Sequence, residues 1–120
     1  MNIKNIKALN EAKVYPENML MGMNCFVEDI PPPDNAKCMP YFIYPIPTID
    51  QLIVLIIHYS SIKIFTEMTE MGFIMNKVSV NITSQDTIEK EFFSPFLDDA
   101  LAEALLELKK NSDEKQKALT

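Results

Sequence analysis

The pattern of apolar and polar positions is clearest near the end of the chain. Leu97, Ala100, Leu101, Ala104, Leu105 and Leu108 recur at helical spacing, with Asp99, Glu103, Glu107 and Lys110 on the other side. Ser94 is placed to cap this helix and Pro95 to open it, where a missing N–H costs nothing. Asp98 and Asp99 fall in the first turn and Lys109 and Lys110 in the last, both matched to the helix dipole. Residues 77–83 alternate instead: Val78, Val80 and Ile82 face one way, Lys77, Ser79 and Asn81 the other. That is the period of a half-buried strand. Ile62, Ile64 and Thr66 alternate with Lys63, Phe65 and Glu67, and Gly72 supplies a turn between the two runs. Residues 73–75 can extend the second run, and the two together read as an antiparallel hairpin.

Ahead of the hairpin, Thr48 and Gln51 have the spacing of a capping box, and Asp50 lies in the first turn. The apolar run Leu52 to Ile57 that follows reads as a helix buried on most sides. Its β-branched residues keep a buried strand as the rival reading, while the cap and the Ser60-Ser61 break favour helix. Ile3, Ile6 and Leu9 suggest a short first helix with Asn2 as N-cap. Tyr41 to Tyr44 is β-prone, and Pro45 and Pro47 reduce it to an edge strand or an extended lead-in. Six of the eight prolines lie between Pro31 and Pro47, so residues 20–40 read as a long irregular connection. The expected architecture is a small single-domain α+β sandwich over residues 1–110. Helices pack on an antiparallel sheet, and a long Pro-rich loop comes before the sheet. Residues 111–120 are expected to form a polar, disordered tail.

Two segments, Tyr44 to Leu52 (YPIPTIDQL) and Ser94 to Leu106 (SPFLDDALAEALL), resemble the anchor segments of small phage-encoded proteins described as ABA-sandwich domains. The order of elements, from extended segment and capped buried helix to hairpin, polar linker and final Ala/Leu-rich helix, resembles them too. The resemblance covers roughly the C-terminal two thirds. Members often carry a Trp in the buried helix, and this chain has none. It implies a helix–sheet–helix fold and a mobile-element origin. It also implies an accessory or anti-defence role exerted by binding, and it lends no catalytic residue.

Composition narrows the chemistry. The 120 residues include 11 Lys, no Arg and 17 acidic residues, for a net charge of −6. Phosphate recognition draws on clustered cations and on the arginine fork, so direct nucleic-acid binding is not expected, nor is docking on an anionic membrane. Residues 1–13 lack an apolar leader, and the longest apolar run, Leu52 to Ile57, is far short of the ~20 residues of a membrane span. Two cysteines are too few for a disulfide scaffold, which points to a cytoplasmic protein with reduced thiols.

His58 is the only histidine, and acid–base, Cys–His or zinc chemistry would each need it. At the end of an apolar helix its simpler role is structural. Cys25 and Cys38 lack C-x-x-C spacing and, with one His, fall short of four zinc ligands. Neither glycine sits in a phosphate-loop context. No catalytic residue, metal or cofactor is therefore assigned, and the chain is expected not to be an enzyme. The acidic face of Asp98, Asp99, Glu103 and Glu107 has two readings, a phosphate mimic or an ordinary solvated face. Met-rich surfaces adapt to partners, so Met19, Met21, Met23, Phe26, Met39, Tyr41 and Tyr44 form the candidate partner-binding set. Loop residues packing back on the sheet are the plainer alternative.

The favoured expectation is a non-catalytic accessory protein that binds a host or phage protein, with inhibition of a host defence protein as one mode. The alternative is a small-molecule or nucleotide-sequestering protein with a pocket between the sheet and the 20–40 loop, walled by Phe26, Tyr41 and Tyr44. Self-association stays open.

Overall fold

The computed structural model describes residues 1–29, 41–83 and 87–119. Helix α1 (Ile3–Glu11) begins as its sequence predicts: the Asn2 side chain accepts from the Asn5 N–H at 2.8 Å. A one-turn helix, α2 (Glu17–Leu20), follows. Strands β1 (Asn24–Asp29) and β2 (Tyr41–Ile46) then pair antiparallel from Asn24–Ile46 to Asp29–Tyr41. Helix α3 (Ile49–Ile57) carries the full capping box, with Gln51 N–H on Thr48 Oγ1 and Thr48 N–H on Gln51 Oε1. The cap decides between the two readings of this run, because a strand would leave those donors without local partners.

Strands β3 (Ile62–Met68), β4 (Ile74–Thr83) and β5 (Thr87–Ser94) form a second antiparallel sheet in the order β3-β4-β5. Helix α4 (Leu97–Leu119) closes the described chain. The molecule is a small single α+β domain, and its described residues form two sheets rather than one.

α4 is the spine. Ala100, Leu101, Ala102, Ala104, Leu105 and Leu108 are all buried. They meet Leu9 of α1, Leu52, Leu55 and Ile56 of α3, and Val78 and Val80 of β4 in one core. Three alanines on α4 let neighbouring elements approach closely. The leucines supply apolar area, about 1.5–3 kcal/mol for each side chain fully buried. Val78 and Val80 are buried as the alternation predicts. Ser79, from the opposite face, is buried as well, and its hydroxyl donates to Glu89.

Four expectations need correction. Residues 20–40 are not wholly irregular, since α2 ends at Leu20 and β1 occupies Asn24–Asp29; residues 30–40, with the proline triplet, lie outside the described residues. The stretch before the last helix is strand β5, not a linker. α4 begins at Leu97 rather than beside Ser94, which ends β5, although the Ser94 hydroxyl still accepts from the Phe96 N–H at 3.1 Å. The Pro95 carbonyl is held by the Asn76 side chain of β4 at 3.0 Å, and this keeps that residue with the sheet. Finally, α4 does not stop near Lys110. Residues 111–119 contain no Gly or Pro, and a Lys109–Asp113 pair at 3.1 Å spans the expected end.

Candidate protein-binding surface

The β1–β2 ribbon gathers Phe26, Tyr41 and Tyr44 of the candidate residues. Period-two alternation gives it two faces. On one, Phe26 lies opposite Tyr44 and Glu28 opposite Phe42. The Phe26 and Tyr44 rings stack with centroids 6.2 Å apart and an interplanar angle of 28°, and Phe42 tilts against Tyr44 at the same separation. Lys7 of α1 reaches this face. Its ammonium pairs with Glu28 and lies 5.7 Å from the Tyr44 ring centroid. The Glu28 carboxylate raises the Lys7 pKa above its ordinary value, against the opposing effect of desolvation. Asn10 of α1 donates to the Ile6 carbonyl at 2.9 Å and to the Pro45 carbonyl at 3.2 Å. This face is thus seated on α1.

The other face carries Cys25 opposite Pro45 and Val27 opposite Ile43. Val27 and Ile43 are each 54% exposed, as is Phe42 at the far end of the ribbon. A cross-strand pair of β-branched side chains left in water is unusual for a packed sheet face.

The methionines divide. Met21 is 87% exposed. Met23 is buried, and Met19 packs on the core beside Tyr15. Met39 lies outside the described residues; Tyr41 belongs to β2, and its side chain is likewise outside them. Val27, Phe42 and Ile43 escape sequence reasoning because only the register of β1 on β2 shows that they share a ribbon. The pairing is non-local, across residues 30–40.

Phe26 and Tyr44 stack on one another rather than facing across a gap. A cleft of about 620 Å³ lies elsewhere, between the α1–α2 connection and α3, lined in part by Lys13, Tyr15, Met19, Val54, His58 and Tyr59. Lys13 turns the chain there with φ of 54°. The Tyr15 hydroxyl is buried without a hydrogen-bond partner among the described residues, and burial pushes its pKa up. His58 is the exposed C-cap residue of α3. Cys25 is a free, exposed thiol, and Cys38 is outside the described residues. Among the described residues, no group of three or more His, Cys, Asp and Glu side chains is arranged to hold a metal ion. No helix there is long and apolar enough to cross a membrane.

The acidic face of α4 is not a free row of charge. Asp99 is buried and accepts from Asn2 N–H and Asn5 Nδ2 of α1 at 2.8 and 3.1 Å. Asp98 pairs with the Met1 amine at 2.7 Å, and Glu107 with Lys90 at 3.0 Å. Three of the four carboxylates therefore hold the fold together, which removes the even spacing a phosphate mimic would present. Compared with known protein families, curated proteins and solved structures, the chain matches none.

Proposed function

We propose that this chain is a non-catalytic protein-binding module, with a host or phage protein as partner, and that the β1–β2 ribbon makes the contact. The exposed Val27–Ile43 pair carries this reading, with Met21 as a further exposed apolar side chain next to the ribbon and Phe42 exposed on its opposite face. Rigid aromatic and aliphatic anchors on a ribbon suit a shallow apolar groove. The ring stack and the Lys7–Glu28 pair fix the ribbon on α1, so little ordering is left to oppose binding. Inhibition of a host defence protein is one outcome of such binding, and the phage-type resemblance of the YPIPTIDQL and SPFLDDALAEALL segments supports it. The test is affinity capture from bacterial lysate with the wild-type chain and a Val27→Asp/Ile43→Asp variant side by side. A specific partner retained by the first and lost by the second, at equal melting temperature, is the expected result. Equal capture by both would refute the assignment.

A second reading rests on a separate observation. Tyr15 lines part of the cleft between the α1–α2 connection and α3, and its buried hydroxyl, without a hydrogen-bond partner among the described residues, would be satisfied by a small polar ligand that displaces the side chains covering it. A raised melting temperature with a nucleotide or other small ligand, abolished by Tyr15→Phe, supports that reading; no shift across a broad ligand panel counts against it.

A further inference from the structure

We propose that β3 is the seam of a symmetric dimer, in which a second copy of this chain adds its own β3 antiparallel about Phe65. The two three-stranded sheets then join into one of six strands.

Among the described residues β3 is an edge strand, paired on one side only, with β4. Its register with β4 runs unbroken from Ile62–Val80 to Met68–Ile74. It has no bulge and no proline, two of the devices that blunt an edge, and its charged residues, Lys63 and Glu67, are of opposite sign. It is also poorly covered: from Lys63 to Met68 every residue is exposed, Ile64, Phe65 and Met68 included. A strand with an open edge and exposed side chains on both faces is a template for strand addition.

Charge complementarity selects the second copy as occupant. Residues facing each other across a two-fold axis through Phe65 have numbers symmetric about 65. Lys63 then meets Glu67 of the other copy, Glu67 meets Lys63, and Phe65 meets itself, all on the face away from α4. On the helix-covered face Ile62 meets Met68 and Ile64 meets Thr66. This register overlaps all seven residues of the strand and places each charged side chain opposite its counter-charge. The other free edge, β5, behaves differently. Self-pairing centred on Glu89, Lys90 or Glu91 sets two glutamates against each other in every case. β3 is the self-complementary edge and β5 the self-repelling one.

α3 packs beside β3. A two-fold axis perpendicular to the sheet leaves both α3 helices on the same side of it. Ile49, Ile53 and Ile57 line the flank of α3 opposite the cleft, with Ile49 and Ile57 exposed. Joining the sheets sets two such flanks on the same side of the seam.

Sedimentation and light scattering of the full chain test this directly. The expected species has twice the 13.7 kDa chain mass at micromolar concentration. Lys63→Glu places Glu opposite Glu67 at both ends of the seam, and the dissociation constant rises about tenfold or more. Glu67→Lys does the same. Mixing the two single variants restores both counter-charges, so a heterodimer forms from chains that do not dimerise alone. Glu67 also pairs with Lys77 of its own sheet at 3.3 Å. Should Glu67→Lys fail to fold, Phe65→Cys in a Cys25→Ser/Cys38→Ser background decides. Opposed antiparallel residues have Cα atoms about 4.5–5.5 Å apart, within disulfide range. Mild oxidation is expected to link two copies, while Glu89→Cys in the same background stays unlinked. A 13.7 kDa species at all concentrations with no Phe65→Cys cross-link would overturn the proposal. So would growth beyond two copies, the mark of β3 pairing head-to-tail with β5.

Discussion

Asp99→Ala probes the joint between the two ends of the chain. Asp99 is 7% exposed and Asn5 5%. One carboxylate oxygen accepts from the Asn2 N–H and from Asn5 Nδ2, while the Asn2 side chain caps α1 through the Asn5 N–H. Asn2 and Asp99 lie at the N-terminal ends of α1 and α4, so two helix dipoles favour a negative charge there. Truncation removes two charge-assisted hydrogen bonds and leaves the buried Asn5 amide without an acceptor. An unsatisfied buried donor costs about 1–3 kcal/mol. The Asn2 N–H is only partly buried and recovers some of its loss from water. The expected destabilisation is about 2–4 kcal/mol, a large share of the roughly 5–15 kcal/mol that holds a domain of this size.

Urea unfolding followed by far-UV circular dichroism measures it: the midpoint falls and the slope holds. Asn5→Ala completes the test. If the pair is coupled as the geometry states, the double variant costs less than the sum of the singles, by about 1 kcal/mol or more. Additive losses would show that Asp99 and Asn5 act independently. A loss under about 0.5 kcal/mol for Asp99→Ala would place the carboxylate in water and refute the buried joint.

Two further outcomes follow from the same core. Leu105, fully buried against α3 and the sheet, should cost about 2–5 kcal/mol as Leu105→Ala, read as a fall in melting temperature of about 10 °C or more. The Met1 amine has its pKa raised above 8.0, chiefly by the hydrogen bond to Asp98, with burial opposing. Its contribution is therefore fully present below about pH 8 and lost as pH rises through the folded value, so in a chain with a free Met1 amine stability declines on the alkaline side. Asp98→Asn should flatten that decline in a series of urea melts, and an unchanged slope would refute it.

Local signals made part of this fold legible and non-local ones hid the rest. The Thr48–Gln51 box, the Asn2 cap, the alternation of Val78, Val80 and Ile82 and the stripe of α4 are each written within a few residues of where they act. β5 is not, because its inward face reads Ile88, Lys90, Phe92. A charge in the middle breaks the alternation, and it is tolerated because Lys90 sits on an edge strand and reaches Glu107 of α4. Asp99 misleads for a related reason. On an isolated helix it lies opposite the leucine stripe, and only the arrival of α1 buries it. In the candidate surface the aromatic residues Phe26 and Tyr44 stood out by type, whereas Val27 and Ile43 acquire meaning only from their pairing.

One structural fact links the ribbon and the seam. α4 buries a helix face nearly all round, taking α1, α3 and the inner face of β4 and β5 as its covers. Among the described residues that leaves the outer face of the β3-β4-β5 sheet without a covering element, although Ser79 at its centre is buried by neighbouring side chains. β4 tolerates this, since Lys77 bridges Glu67 and Glu91 there at 3.3 and 3.8 Å and lies over the Phe65 ring. On β3 that cover reaches Phe65 and Glu67 from one side only and leaves Phe65 44% exposed, and among the described residues no ion pair or cation–π contact covers Val27 and Ile43 on the outer face of the ribbon. An exposed aliphatic residue gains nothing in folding and adds to aggregation risk. In the two proposed contacts, Val27, Ile43, Ile64 and Phe65 are the side chains that a second chain would cover. The two sites differ in what they ask of it. The seam is charge-patterned to match itself, whereas the ribbon pair is apolar and without self-complementary charge, which suits a different protein. Disrupting β3 should therefore change mass and leave capture by the ribbon intact, and disrupting the Val27–Ile43 pair should do the reverse.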